Sequence, residues 1–366
     1  MKITDVQVDI LGYRCKKPVV FSHLQILQRK IILVKIFTDE GIIGIGDVDA
    51  EPTGDSVARD IILNKYKPQL IGEDPLKIGY LWEKLINLPR AMGRLATEMY
   101  ALGAVDVALW DIAGKAMNQP VASLLGKYRT EVPVYASWSY LTLEELPEKM
   151  EETLEKNFKA TKIRIGVNPE IDEKLVATAR NILGDECRLM VDVNSGWSRV
   201  DAERNAYLLE KYNLDWIEEP IDSSNIEGYR NLAARIRTPI AMGEHQNTRQ
   251  EFRDLLLQEA ADVYQPDIRA GGITECKKIV DMVNTWGFKA VPHCYGSGLK
   301  GAATLQLIGA ISGPTLFELN MNEDPLRTEI IREDVFTVKD GKIKIPEGPG
   351  LGVSLDENSV RKYLQD

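Results

Sequence analysis

The chain has 366 residues and a net charge of −10, with 44% hydrophobic and 27% charged residues. That leaves room for two domains and a large core of ordinary globular composition, and the negative balance argues against a nucleic-acid binder, which needs a basic face. Four scattered cysteines with no CxxC pair exclude a disulfide framework and a cysteine zinc site. The start of the chain has no apolar leader and no run approaches 18 apolar residues, so the expectation is a protein of the cytoplasm that does not enter a membrane.

Residues 2–10 and 30–46 alternate apolar and polar positions, as strands with one buried face do. Helix-period patterns follow from about Ser56 to Lys115 and end in Leu102-Gly-Ala-Val-Asp-Val-Ala-Leu-Trp-Asp-Ile-Ala-Gly-Lys115. Strands first and helices after predict a small α+β domain over residues 1–128. From Val132 the pattern changes to strand–helix alternation. Strands are predicted at 132–136 and 160–165, then at five apolar runs closed by Asp192, Glu218, Glu244, Asp267 and His293, and last at 315–318. Eight strands with helices in most gaps predict a (β/α) barrel over residues 129–322. The tail, 323–366, has its own turn signals and is expected to return to the first domain.

The five closing residues are separated by 26, 26, 23 and 26 residues, about one strand-plus-helix unit. They would therefore line one mouth of the barrel, at the strand ends where barrel enzymes keep their chemistry. Asp192, Glu218 and Glu244 come from consecutive strands. Three carboxylates without sulfur or imidazole favour a hard divalent ion such as Mg²⁺. A single strand-end acid could equally cap the next helix. Three converging in register would repel one another without a cation, which favours the metal.

Of the three histidines, His293 ends a predicted strand and Asp267 ends the one before it. An Asp beside a His fixes its tautomer and raises its basicity, so the pair is a candidate acid–base dyad. His245 would stand in the loop above Glu244, reaching substrate or supporting the site. His23 falls in an N-terminal loop whose default reading is surface. On the other side of the barrel, Lys162 and Arg164 alternate on one strand and share its inward face. They would stabilise negative charge developing on a carboxylate substrate, or else only neutralise the barrel's acids. Glu318 could donate to a substrate oxygen if burial kept it protonated, or form a salt bridge.

In order along the chain stand Lys162-Ile-Arg164, Val191-Asp-Val-Asn194, Trp216-Ile-Glu-Glu-Pro220, Met242-Gly-Glu-His245, Pro266-Asp-Ile-Arg-Ala-Gly-Gly272 and Val291-Pro-His293, after the helix with Ala108-Leu-Trp-Asp-Ile-Ala-Gly-Lys115. Together they resemble the enolase superfamily, and within it the mandelate racemase subgroup, over essentially the whole chain. The resemblance implies a (β/α)7β barrel under an N-terminal capping domain whose loops, here around residues 15–30 and 48–56, close over substrate and set specificity. It implies Mg²⁺ on Asp192, Glu218 and Glu244 with Asn194 nearby, and an enediolate formed by removing the proton α to a carboxylate. It also implies Asp267–His293 as the dyad, Glu318 as hydrogen-bond donor to the enolic carboxylate, Lys162 as the first lysine of a Lys-x-Lys motif, and a homo-oligomer.

The second lysine of that motif, the usual base, is Arg164 here. Arginine's high pKa makes it a poor base, and a racemase needs bases on both faces of the carbon. A dehydratase can work with His293 alone, which leaves Arg164 free to clamp a substrate carboxylate or hydroxyl. The expected function is a Mg²⁺-dependent dehydratase of an aldonic or aldaric acid. The alternatives are a racemase or epimerase, a cycloisomerase of a sugar lactone or anhydro acid, and a silent barrel that only binds.

Overall fold

Burial decides how the first 120 residues fold. In the computed structural model, which describes residues 1–23, 25–49, 55–88, 96–168 and 170–365, three antiparallel strands pair in the order β1-β2-β3: β1 Ile3–Val20, β2 Gln25–Thr38 and β3 Ile43–Asp49. Within the alternating stretch 30–46, the strand from Lys30 runs into a hairpin turn at residues 39–42, as expected from Thr38-Asp-Glu-Gly41, and Gly41 takes φ +79° there. β1 and β2 run past their alternating segments and stay paired to Val20↔Gln25, where exposed lysines replace the apolar pattern. Of the two loops expected to cover the site, residues 15–23 and 25–30 belong to this hairpin; most of the second, 50–54, lies outside the described residues.

The helix Ala96–Ala116 packs on β3 and is buried on almost every side. It can lie that close because Gly44 and Gly46 face it, where a Cβ would strike the carbonyls of Ala108 and Ala104. Its far side meets the barrel helix Gly272–Thr285: Trp110 Nε1 donates to Thr274 Oγ1 (2.9 Å), and Thr274 donates through Oγ1 and its backbone N–H to Asp106 (2.6 and 2.9 Å).

Eight parallel strands follow: β4 Glu131–Tyr140, β5 Ala160–Arg164, β6 Arg188–Asp192, β7 Ile217–Glu218, β8 Ile240–Met242, β9 Val263–Tyr264, β10 Lys289–Ala290 and β11 Phe317–Asn320. They pair in the order β10-β9-β8-β7-β6-β5-β4-β11, with one α-helix in each of the seven gaps along the chain among the described residues, which is a (β/α)7β barrel. The backbone N–H of Cys294, beyond β10, donates to Glu318 Oε2 on β11 (3.0 Å) and links the two ends of the sheet. One apolar residue from or beside each strand fills the interior: Tyr135, Ala160, Met190, Trp216, Ala241, Val263, Val291 and Leu316 form a single buried cluster. Such a packed floor leaves only the mouth above it for polar groups.

Side-chain caps start the helices that leave this mouth. Ser198, Asn225, Thr248 and Ser297 each accept a backbone N–H from the first turn. After the barrel, β12 (Lys342–Lys344) pairs antiparallel with β4, and the helix Glu357–Tyr363 lies against β1, where Gln365 N donates to Ile10 O (2.8 Å). Among the described residues, no helix is long and apolar enough to cross a membrane.

Candidate active site

The inward faces of β5–β7 bring the first group together. Lys162 Nζ stands 2.5 Å from Glu218 Oε1 and 2.9 Å from Glu318 Oε1, and all three side chains are buried. The other oxygen of Glu218 accepts from Trp216 Nε1 (3.0 Å) and Gln265 Nε2 (2.7 Å). Burial pushes the Glu218 carboxyl up to about 7 against the pull of Lys162, with Asp192, Glu318 and Glu244 adding to the rise. Burial also opposes the charge on Lys162, but Glu218 and Glu318 hold its pKa well above the ordinary lysine range.

Arg164, two residues on, donates from Nη2 to Asp192 Oδ2 (2.7 Å) and stacks its guanidinium 4.2 Å from the Phe21 ring of the cap. Its Nε and Nη1 are buried without a hydrogen-bond partner. The second oxygen of Asp192 accepts from the backbone of Asn194 (2.9 Å). Asn194 and Ser195 take left-handed φ of 48° and 60°, which turns their carbonyls toward the cap: Ser22 Oγ donates to Asn194 O, and His23 Nε2 lies 2.9 Å from Ser195 O. His23 is exposed, and this contact ties it to the barrel mouth.

Beyond β8, Gly243 at φ +138° redirects the chain so that Glu244 faces His293, whose Nε2 lies 3.0 Å from Glu244 Oε2. The other ring nitrogen, Nδ1, is 2.7 Å from Asp267 Oδ2. Burial opposes the charge on His293, but Glu244, Glu318 and Asp267 outweigh it and raise the ring to about 10. Of the two roles open to Glu318, the structure shows the salt bridge, to Lys162 Nζ (2.9 Å). Burial alone would keep Glu318 protonated, but Lys162 and His293, with the Cys294 N–H, bring it down to about 2. It is a carboxylate that accepts from Lys162, Ser137 Oγ (2.7 Å) and Cys294 N, and so cannot donate a proton in this state.

His245 does stand above Glu244, its side chain about two-fifths exposed, with Nδ1 2.8 Å from Glu219 Oε1 and 3.6 Å from Glu244 Oε1. Glu219 was not anticipated. Strand alternation would point it away from Glu218, but its φ of +40° turns it to the same side. Ligand atoms of Glu219, Glu244 and His245 lie within 4.8 Å of one another, and Glu219 Oε2 is buried without a hydrogen-bond partner. Arg269 was also missed. Its Nη2 donates to Glu244 O (2.7 Å) and its Nε lies 3.6 Å from Asp267 Oδ2. The only signal for either was membership of the motifs Trp216-Ile-Glu-Glu-Pro220 and Pro266-Asp-Ile-Arg269.

These donors fit a hard divalent cation. Asp192, Glu218, Glu219 and Glu244 are all buried, their mutual repulsion is offset by Lys162, Arg164, Arg269 and the histidines, and Glu219 Oε2 is left unsatisfied.

Comparison with known proteins gives a concordant result. The family described as "Enolase C-terminal domain-like" matches residues 145–359, and "Mandelate racemase / muconate lactonizing enzyme, N-terminal domain" matches residues 4–126. The chain is 30% identical to the D-galactarolactone cycloisomerase of Agrobacterium fabrum, over 99% of both chains. It is 30% identical to the arabinonate dehydratase of Saccharolobus solfataricus, over 91% of this chain and 90% of that one. It superposes with a TM-score of 0.86 and 30% identity on an L-talarate dehydratase from a Polaromonas species complexed with Mg and L-glucarate, covering 100% of this chain and 98% of the other.

Proposed function

The chain belongs to the enolase superfamily of enzymes, in its mandelate racemase subgroup, whose members use Mg²⁺, and on that premise we propose that it is an acid sugar dehydratase converting an aldonate or aldarate into its 2-keto-3-deoxy acid. One observation carries the reading: a single imidazole, His293, faces the interior, and the groups opposite it are no bases. Lys162 is locked between Glu218 and Glu318, and Arg164 is a guanidinium on Asp192. Chemistry needing proton transfer on one face only suits this arrangement, whereas racemisation needs a base on each.

Asp192, Glu218 and Glu244 are the proposed metal ligands, and Mg²⁺ bound there supplies electrophilic stabilisation of the enolised substrate carboxylate. Lys162 adds a fixed positive charge on the same side. His293, held by Asp267 through Nδ1, moves the proton at Nε2: as a base it takes the α-proton, and as an imidazolium it protonates the departing β-hydroxyl. Arg164, with Nε and Nη1 unsatisfied, clamps a substrate oxygen, and Asn194, His245 and His23 line the approach. Residues 1–128 serve as the cap, 129–322 as the barrel and 323–366 as the segment returning to the cap. The free thiols of Cys187, Cys276 and Cys294 suit a reducing cytoplasm, where we place the protein as a homo-oligomer.

A second reading has its own support, since the cycloisomerase relative aligns end to end with this chain. Opening a sugar lactone also needs only one proton-transfer group. A screen of aldonic and aldaric acids and their lactones with Mg²⁺ separates the two. Appearance of a 2-keto acid from an open-chain acid supports dehydration. Loss of a lactone with α-proton exchange in D₂O and no dehydration of any open-chain acid replaces it with cycloisomerisation.

A further inference from the structure

Behind the dyad lies a buried lysine that the reaction above does not use. Lys300 is only 1% exposed, in the first turn of the helix Gly298–Gly309, among glycine, alanine and leucine. Its Nζ stands 2.9 Å from Asp267 Oδ2, the same oxygen that lies 2.7 Å from His293 Nδ1. On its other side Nζ stands 2.8 Å from Asp49 Oδ2, at the last residue of cap strand β3. Arg29 on β2 approaches Asp49 at 3.5 Å, and Ser297, which caps the helix of Lys300, donates to Asp47. A line of alternating charge thus runs from the cap to the catalytic histidine: Arg29, Asp49, Lys300, Asp267, His293.

We propose that Lys300 is a positioning residue: it fixes the carboxylate that orients His293, and through Asp49 it makes that orientation depend on the seating of the cap. Asp267 Oδ1 accepts from the Arg269 backbone N–H (2.8 Å) while Oδ2 faces both His293 Nδ1 and Lys300 Nζ, and together these partners set the rotation of the carboxylate. Without Lys300 that oxygen keeps only His293 Nδ1 and the more distant Arg269 Nε (3.6 Å), and the buried Asp267 faces the partly buried Asp49 as a like charge. The imidazole then loses its fixed tautomer and aim, while substrate contacts made by other residues remain. Partners of this kind are worth about 10–100-fold in activity. The inference rests on Asp267–His293 being the proton-transfer pair.

The test uses the full-length, Mg²⁺-loaded protein with ¹⁵N-histidine, assigning His293 by its loss in His293→Asn. In Lys300→Met the Nδ1 resonance is expected to shift away from that of a nitrogen hydrogen-bonded to a carboxylate, with kcat on the identified substrate down about 10–100-fold and KM little changed. Lys300→Arg, which keeps a donor, should restore much of both. Asp49→Asn, a milder change on the cap, should shift the same resonance in the same direction by less, and it carries the test should Lys300→Met not fold. A His293 resonance unchanged in the folded Lys300→Met, or unchanged in Asp49→Asn where Lys300→Met does not fold, overturns the proposal. If His293→Asn remains fully active, the dyad reading fails instead, an outcome the resonance of the lysine variants does not imitate.

Discussion

His293 and Arg164 carry opposite burdens, and each can be tested alone. The imidazole, held by Asp267 and facing the interior, is the proposed proton-transfer group, so His293→Asn should lower turnover by about 10²–10⁴-fold, a range set by general acid–base catalysis. Circular dichroism should show the fold intact, because the ring's contacts are with side chains of the mouth rather than with the apolar floor. Arg164→Lys keeps a positive charge near Asp192 but loses the fork that leaves two donors for a ligand. Its expected signature is a KM raised by an order of magnitude, from a lost charged hydrogen bond of about 1.5–3 kcal/mol, with a smaller change in kcat. A kcat loss as large as that of His293→Asn, with KM unchanged, would instead make Arg164 a participant in proton transfer.

At the scale of elements, the cap is held by two close approaches. The first is strand on helix: β3 meets Ala96–Ala116 through Gly44 and Gly46, with no room for a side chain. Gly46→Ala must push strand and helix apart, at a cost of about 1–3 kcal/mol, readable as a lower denaturant midpoint at unchanged slope. The second is helix on helix, where Asp106 accepts twice from Thr274 of the barrel helix. Burial raises the Asp106 carboxyl from 3.8 to about 7 despite those hydrogen bonds. Folded protein thus keeps a proton that the unfolded chain releases above 3.8, and the stability this contributes is complete below that pH and lost as pH rises toward 7. Asp106→Asn cannot titrate, so its melting temperature should fall less steeply over that interval than the wild type's. A slope identical to wild type would show that Asp106 is ionised throughout.

Across the whole molecule, the acids of the mouth couple stability to the cation. Mg²⁺ binds the assembled site and not the unfolded chain, so saturating it should raise the melting temperature, by about 2.7 kcal/mol of stability at a hundredfold excess over Kd. Chelation should reverse the rise, and Asp192→Asn should blunt it. A wild-type melting temperature indifferent to both would remove the metal from the reading.

Much of this architecture was legible in one sequence because it depends on local regularities. Apolar runs ending in acids at steps near 26 residues reflect a repeating strand–helix unit, and a barrel seats the ends of such runs at one mouth. Asp192, Glu218, Glu244, Asp267 and His293 could therefore be named together without coordinates. Other features depend on backbone torsion and on contacts between distant segments. Glu219 joins the site because a single positive φ reverses strand alternation. Glu318 is ionised because Lys162 and His293, 156 and 25 residues away in sequence, converge on it. Lys300 reaches Asp267 from the helix Gly298–Gly309, and Asp49 across in the cap, contacts that no local pattern announces. The sequence by itself determined which strands form the barrel and which residues close them, because hydrophobic period and strand-end position are local. Which of those groups carry protons, and how the cap is tied to them, only the tertiary structure decided, because charge state depends on what burial brings within a few ångströms.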